Sequence, residues 1–570
     1  MPRPSRFAWA MLGLAACLTR PAWAEPVRLE APKDIAAALA PYLPKEDLAD
    51  PAARQQARRR LEKSLPDILA TEGYFTPRLD FSEPDGALAV RIDPGPRTEI
   101  GAVDIAIAGK LDEDFRRSLV AGWSLGVGQP FRQADWSAAK QQVLSRLLGH
   151  GYAGASIAAS RADIDPDTGQ ARLQASYDAG PPYRFGPLQI DGLSRYPPKL
   201  VERYNRFVVP GEPYREDRLT ALQNALQSSP YFSSVQVTLG EPSPPGPDGT
   251  VTAPVRLRVQ EREPHRVAFG VGASSNTGAR LETNYHTADL FRNARELDTG
   301  IRLEQKRQIA YGDIFLPPSK GNYRLSFGGL TEHTLIQGLA TERVALGAQR
   351  LQQRGSVEMR LSLNWQEERR RPEGTQPTLN RALVPDGMWT WRQVDSLIAP
   401  RHGFVLQARV GGAAQALLSD QDFVRLYGRY QQFLPVGRRD VFTFRAELGQ
   451  TLAKSRQGIP QEYLFRAGGT NSVRGYSYQS LGVKEGSAVV GGRTLATASA
   501  EYTHWLDERW GVAAFVDAGD AADSRKGFRP ALGYGLGARW KSPAGPVAVD
   551  LAYGQRSDRF QLHFSLAIPF

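Results

Sequence analysis

Cysteine is nearly absent: Cys17 is the only one in 570 residues. It lies in an N-terminal stretch that reads as a secretory signal. Arg3 and Arg6 make the start positive, Phe7 to Ala16 form a short apolar core, and Ala22-Trp23-Ala24 is an A-x-A cleavage site. Cleavage there leaves a chain without cysteine, which excludes disulfides, cysteine metal sites and cysteine nucleophiles. Leu14-Ala15-Ala16-Cys17 also fits a lipoprotein processing box, so both modes of processing stay open. No apolar run after residue 25 is long enough to cross a bilayer as a helix. A membrane-embedded form of this chain therefore has to be a β-barrel.

Catalytic signatures are missing too. There is no G-x-S-x-G elbow, H-E-x-x-H pair, G-x-x-x-x-G-K-[ST] loop or EF-hand pattern, and the seven histidines are scattered without ligand spacing. No enzyme, cofactor or metal site is expected. Basic residues outnumber acidic ones, 71 to 60, for a net charge of +11. Behind an export signal this balance fits a basic lumen, or a face toward anionic lipid, better than nucleic acid.

What is present falls into two halves. In residues 25–264 a landmark recurs: Gly73-Tyr74-Phe75, Gly151-Tyr152-Ala153 and Pro230-Tyr231-Phe232. Each follows an amphipathic helical stretch, such as "WSAAKQQVLSRLLGH", and precedes two short strand-like runs, such as "SSVQVTL" and "APVRLRVQE". The tyrosines are 78 and 79 residues apart (152 − 74 and 231 − 152). We read three copies of one α+β module, at 25–98, 99–183 and 184–264, after a signal segment 1–24.

Residues 265–570 follow the period of a strand. In "FQLHFSLAIPF", Phe560, Leu562, Phe564, Leu566, Ile568 and Phe570 share one face, and Gln561, His563, Ser565 and Ala567 the other. "GPVAVDLAYG", "ALGYGLGARW" and "DVFTFRAELG" repeat the pattern, with one apolar face and one small or charged face. A soluble sandwich would bury the apolar face, whereas a transmembrane barrel turns it to lipid. The export signal, the aromatic residues near strand ends and the length of the segment favour an antiparallel barrel of about sixteen strands. Strands are expected near 403–413, 422–435, 440–453, 495–505, 511–520, 531–541, 545–554 and 560–570, with eight more in 265–402. The glycine-rich run at 270–278 is expected within the first strand rather than in a nucleotide site.

One segment is out of keeping with its surroundings: "FRAGGTNSVRGY", residues 465–476, in the longest connection of the C-terminal half. Five strands follow it, so a periplasmic C-terminus makes this loop extracellular. If it folds back into the lumen, Arg474 needs a partner, because an unpaired charge in a desolvated site is costly. By period 2, "FVDAG" puts Phe515, Asp517 and Gly519 on the lumen face, with Gly519 leaving space beside an Arg474–Asp517 pair. Two unrelated solvated charges are the alternative on composition alone.

Val473-Arg474-Gly475-Tyr476 resembles the V-R-G-F/Y motif of the sixth extracellular loop of the Omp85 superfamily. Phe515-x-Asp517-x-Gly519 resembles that family's F-x-D-x-G motif on the thirteenth strand. The resemblance implies that the loop arginine reaches the aspartate inside the barrel, that the three repeats are periplasmic POTRA modules, and that terminal Phe570 belongs to an outer-membrane assembly signal. Three modules before a sixteen-strand barrel resemble the TamA-like branch. That implies an inner-membrane TamB-like partner and a role in inserting or secreting unfolded outer-membrane or autotransporter-like polypeptides, in contact with outer-membrane lipid of a Gram-negative cell. Tyr476 stands where many members have Phe, a difference expected to matter little. A two-partner-secretion-type transporter, passing polypeptide through the lumen, is the competing expectation.

The first and last strands would meet at a weak seam. Val267, Phe269, Gly270 and Gly272 lie on one side, and Phe564, Leu566, Pro569 and Phe570 on the other. Glycines weaken strand order, and Pro569 lacks a donor N–H, which is expected to shorten the pairing. An open seam would let a substrate strand pair with the exposed edge.

Overall fold

The computed structural model of the chain describes residues 27–569, apart from 45–47, 49, 85–86, 320 and 543–544. The signal segment, Cys17 and Phe570 lie outside the described residues.

Three small α+β modules precede the barrel in sequence. Each has a three-stranded sheet in which the third strand in sequence lies at the centre. In the first module Leu88–Asp93 runs parallel to Val27–Glu30 and antiparallel to Arg78–Ser82. In the second, Gln170–Asp178 runs parallel to Glu99–Ala108 and antiparallel to Ser156–Asp165. The third sheet is ordered Tyr183–Asp191, Val251–Glu261, Phe232–Leu239. The amphipathic stretches form the helices Pro51–Thr71, Gln133–Gly149 and Glu216–Gln227. Leu61, Leu65 and Leu69 of the first helix recur every four residues and pack on Leu88, Val90 and Ile92 of the sheet. Short helices at Lys33–Leu39, Glu113–Ala121 and Pro198–Tyr204 add to the pattern read from sequence. They are only seven to nine residues long, too short for periodicity to reveal.

The recurring Gly-Tyr landmark is a joint. The Gly73 carbonyl accepts the N–H of Thr98 at 2.9 Å, and the Thr98 carbonyl accepts that of Phe131 at 2.8 Å. The same chain recurs one module on, from Tyr183 to Gly151 at 2.8 Å and from Tyr214 to Tyr183 at 2.9 Å. Gly73 has φ +94°, and a Cβ there would lie 2.2 Å from the Phe131 carbonyl oxygen. Only glycine meets both demands. We predict that Gly73→Ala loosens the joint by about 1–3 kcal/mol, as overpacking does. Limited proteolysis of the full chain should then cut faster around residues 93–98. Gly149→Ala, with open space around its Cβ, should leave the rate unchanged. The third landmark turns elsewhere: the Tyr231 hydroxyl donates to the carbonyl of Ala294, at 2.8 Å, in the turn after the second barrel strand.

Sixteen antiparallel strands close the barrel. In order they are His265–Ser274, Gly278–Leu290, Arg295–Glu304, Arg307–Phe315, Tyr323–Ile336, Leu339–Arg354, Val357–Pro372, Thr378–Val394, Gly403–Ala413, Phe423–Val436, Asp440–Leu452, Thr494–Trp505, Trp510–Ala522, Ala531–Ser542, Gly545–Gly554 and Arg559–Pro569. We refer to them as the first to the sixteenth. The outward faces are apolar: Leu448, Leu536, Leu551 and Leu562 are each more than half exposed. A protein surface leaves that much contiguous apolar area bare only where something other than water covers it, and a lipid-facing wall meets that condition. Among the described residues no helix is long and apolar enough to cross a membrane. The glycine-rich run at 270–278 departs from expectation. The first strand ends at Ser274 and a turn carries the chain to Gly278, because the Ser274 hydroxyl captures the Thr277 N–H at 3.2 Å and ends the ladder.

Candidate functional site: a loop pinned inside the barrel

The connection between the eleventh and twelfth strands spans residues 453–493. It makes its own ladder. Phe465 and Gly492 exchange two backbone hydrogen bonds at 2.8 Å, and Ala467 and Leu481 exchange two at 2.8 and 2.9 Å. Gly468 and Gly469 follow at φ +100° and +101°, where the chain reverses. Phe465, Ala467, Val473, Tyr476 and Leu481 pack on Leu495, Ala521 and Ala531 of the barrel wall. The loop therefore has a small hydrophobic core shared with the barrel.

Arg474 leaves this core and enters a cluster of carboxylates. Its Nε and Nη2 donate to the two oxygens of Asp517 at 2.7 and 2.9 Å, and its backbone N–H adds a third bond at 3.0 Å. Nη1 donates to Glu501 at 2.6 Å and to Asp550 at 3.2 Å. The guanidinium carbon sits 3.4 Å from the centroid of the Phe515 ring, a cation–π contact. Asp517 is fully buried. Arg539 ties the outer carboxylates together, reaching Glu501 at 2.8 Å and Asp550 at 2.5 Å. Fork-to-carboxylate bonding of this kind fixes direction as well as charge. Glu501 and Asp550 were missed as partners. Both lie on strands whose alternation is visible, and Asp550 sits among the small residues of its strand face.

Glycines on the wall make room for the loop, but Gly519 is not the one that does so. A Cβ at Gly519 would strike Ala496 and Thr497 on the neighbouring strand, at 2.5 and 2.7 Å. The room comes from Gly533, whose Cβ would lie 1.9 Å from the Arg474 carbonyl oxygen, and from Gly554, whose Cβ would lie 2.3 Å from that of Gly475. Gly535 accommodates the Phe515 ring edge, 2.8 Å from where its Cβ would be. The tyrosine hydroxyl at position 476 also has a use that phenylalanine lacks. It donates to the Leu532 carbonyl at 3.0 Å and accepts the N–H of Arg556 at 2.9 Å.

The seam is short. The first strand pairs with the second along its length, from His265 with Thr287 to Ser274 with Gly278. Among the described residues it meets the sixteenth only from Gly270–Pro569 to Ser274–Ser565. Gly270, Gly272, Leu566 and Pro569 thus lie in the closing ladder, which reaches Pro569 itself. Val267 and Phe269 lie below it, more than half exposed on the outward face. The fifteenth strand holds the other end of the sixteenth, from Gly554–Arg559 to Ala548–Ser565. The sixteenth strand changes neighbour at Ser565. Above that point Ser275 caps the free edge: its N–H donates to the Phe564 carbonyl at 3.0 Å, and its hydroxyl accepts the Phe564 N–H at 3.1 Å.

The loop touches both sides of this seam. Asn276, in the turn after the first strand, donates to Thr470 at 2.8 Å. On the sixteenth strand, His563 Nε2 accepts the Gly475 N–H at 2.9 Å, and Gln561 donates to Ser477 at 3.0 Å. A cavity of about 580 Å³ in the lumen is lined by Arg474, Glu501, Arg539, Asp550 and His563 together with Asn276 and Thr470.

Comparison with known proteins bears on the family and the fold. A family model for a surface antigen variable number repeat, the POTRA module, matches residues 183–262. Among solved structures, BamA from Haemophilus ducreyi lacking POTRA domains 1–3 is similar over 83% of this chain and 100% of that chain, at 17% identity and a TM-score of 0.69. That likeness speaks for a shared fold. CdiB from Acinetobacter baumannii is similar over 92% of this chain and 99% of that chain, at 14% identity and a TM-score of 0.46. The family model for the Omp85 superfamily domain matches residues 263–570, more than half of the sequence, and the chain belongs to the Omp85 superfamily.

Proposed function

We propose that this protein is an outer-membrane assembly and translocation factor that gives unfolded outer-membrane or autotransporter-like polypeptides access to the bilayer through its seam. The observation that carries the reading is the closing ladder, which among the described residues runs only from Gly270–Pro569 to Ser274–Ser565. A barrel wall joined so briefly is its weakest line, and opening it frees backbone donors and acceptors that a substrate strand can satisfy by pairing. That pairing lets the strand enter lipid without bare polar groups. The three modules, on this reading, lie in the periplasm and offer sheet edges to substrate and to a TamB-like partner. The pinned loop supports seam passage over lumen passage, since a polypeptide threading the lumen has to displace the buried Arg474 cluster.

Locking the seam tests the reading. Ala273 and Leu566 are paired residues on its two sides, and a cysteine at each should form a disulfide. The oxidised protein is expected to lose at least about tenfold in the assembly of an autotransporter-like substrate in proteoliposomes, with recovery on reduction. Undiminished assembly by the locked protein would falsify lateral passage. Co-purification of an inner-membrane partner through the modules is the companion measurement.

A further inference from the structure

His563 is a buried histidine on the closing strand that the seam reading leaves without a task. It is 3% exposed. Its Nε2 accepts the backbone N–H of Gly475 at 2.9 Å, and a ring nitrogen that accepts carries no proton. The ring here is therefore the neutral tautomer with its proton on Nδ1. Among the described residues Nδ1 itself is buried without a partner. The bond joins the sixteenth strand to the residue next to Arg474, whose side chain is anchored on the twelfth, thirteenth and fifteenth strands. On the other side of the seam, Asn276 holds the same loop through Thr470. One anchored loop thus bridges the sixteenth strand and the turn that follows the first.

We propose that His563 is a proton-sensitive positioning residue: neutral, it bolts the closing strand to the loop beside the Gln561–Ser477 bond, and protonated, it weakens that hold. The inference rests on the seam reading above. Protonation puts an N–H on Nε2 facing the N–H of Gly475, so an attraction becomes a repulsion between two donors. It also places a cation beside the Arg474 guanidinium. The facing carboxylates, Asp517 on the thirteenth strand and Asp550 on the fifteenth, already accept from Arg474, and Asp550 from Arg539 as well. Glu501 on the twelfth strand is likewise shared between Arg474 and Arg539. Across the seam, Gly270 to Asn276 carry no titratable side chain. The ring thus exchanges a satisfied contact for a crowded one when it gains a proton. Histidine is the side chain whose ordinary titration falls in the mildly acidic range where such a change is accessible.

The test is single-channel recording of the full-length protein in planar bilayers between pH 8 and pH 5, with folding of each variant checked by heat-modifiable mobility. Loss of one buried hydrogen bond is worth up to about tenfold in an equilibrium, so the wild type should open roughly tenfold more often at pH 5. His563→Gln offers a neutral acceptor near the position of Nε2 and should hold the closed state at both pH values. His563→Ala should open often at both. Asn276→Ala, which leaves His563 intact, should raise opening throughout while keeping the pH slope; it serves if the His563 variants do not fold. A His563→Gln profile as steep as the wild type overturns the proposal, as does a wild-type profile that is flat. The Ala273–Leu566 lock separates this failure from that of the seam reading. A locked protein that still opens refutes the seam, whereas a lock that abolishes opening beside an unchanged His563→Gln slope refutes only the histidine.

Discussion

Arg474→Ala is expected to release the loop from the barrel and to cost about 3–5 kcal/mol, the penalty for breaking a buried ion pair from one side. Three carboxylates meet this guanidinium. Without it, Asp517 is left buried with no ion-pair partner among the described residues, while Glu501 and Asp550 keep Arg539 as their cation. Denaturant unfolding of the reconstituted barrel, followed by heat-modifiable mobility, measures the loss. Protease sensitivity within 465–476 reports where the loop has gone. Arg474→Lys should recover part of the stability, since an ammonium restores charge but not the two-pronged geometry on Asp517. The exchange of Arg474→Asp with Asp517→Arg should do better than the sum of its single changes, because an arginine at 517 still faces Glu501 and Asp550. An additive double-mutant cycle removes the pair from the account.

Gly533→Ala is expected to do comparable damage through one methyl group. The added carbon would sit 1.9 Å from the Arg474 carbonyl oxygen, and neither side can yield cheaply. The wall is held by its ladders, and the loop by the arginine cluster and the Tyr476 hydroxyl. Ordinary overpacking costs about 1–3 kcal/mol, and a backbone-to-backbone overlap belongs at or above the top of that range. The methyl should drive the loop out, raise cleavage within 465–476 and lower the unfolding midpoint. Gly428→Ala is the control. Its Cβ meets nothing closer than 4.0 Å, so it should behave as wild type. Equal stability of the two variants would show that the loop is not seated against the fourteenth strand.

The barrel half was legible because its physics is local. Alternation along "FQLHFSLAIPF" or "DVFTFRAELG" follows from side chains pointing to opposite faces, and it places lumen and lipid residues without tertiary information. The same rule put Phe515 and Asp517 inside. The modules were legible through their long helices and the repeated Gly-Tyr. Their short helices were not, since seven to nine residues make barely two turns. Partners were harder. Period 2 says that Glu501 and Asp550 face inward but not how far along the barrel axis they lie, and that depends on strand stagger, which one sequence does not display. Gly519 was credited with making room because it sits in a motif with Asp517. Gly533 does the work from another strand, where nothing local distinguishes it from Gly535 or Gly537. Tyr476 was read as equivalent to phenylalanine because its two hydroxyl partners lie 56 and 80 residues away in sequence.

The short ladder that closes the barrel also bears on how the chain reaches this structure. Most neighbouring strands are joined by short turns, so each pairing closes a small loop. The seam joins residues 299 apart (569 − 270). Its closure entropy is the largest of any pairing in the sheet, and among the described residues its ladder is the shortest. Contacts of that range form late in folding. The sheet is then an open ribbon for most of its formation, with the inner face reachable from the side. In that interval the 453–493 connection can settle among Asp517, Glu501 and Asp550 without threading a finished ring, and the final strand closes over it.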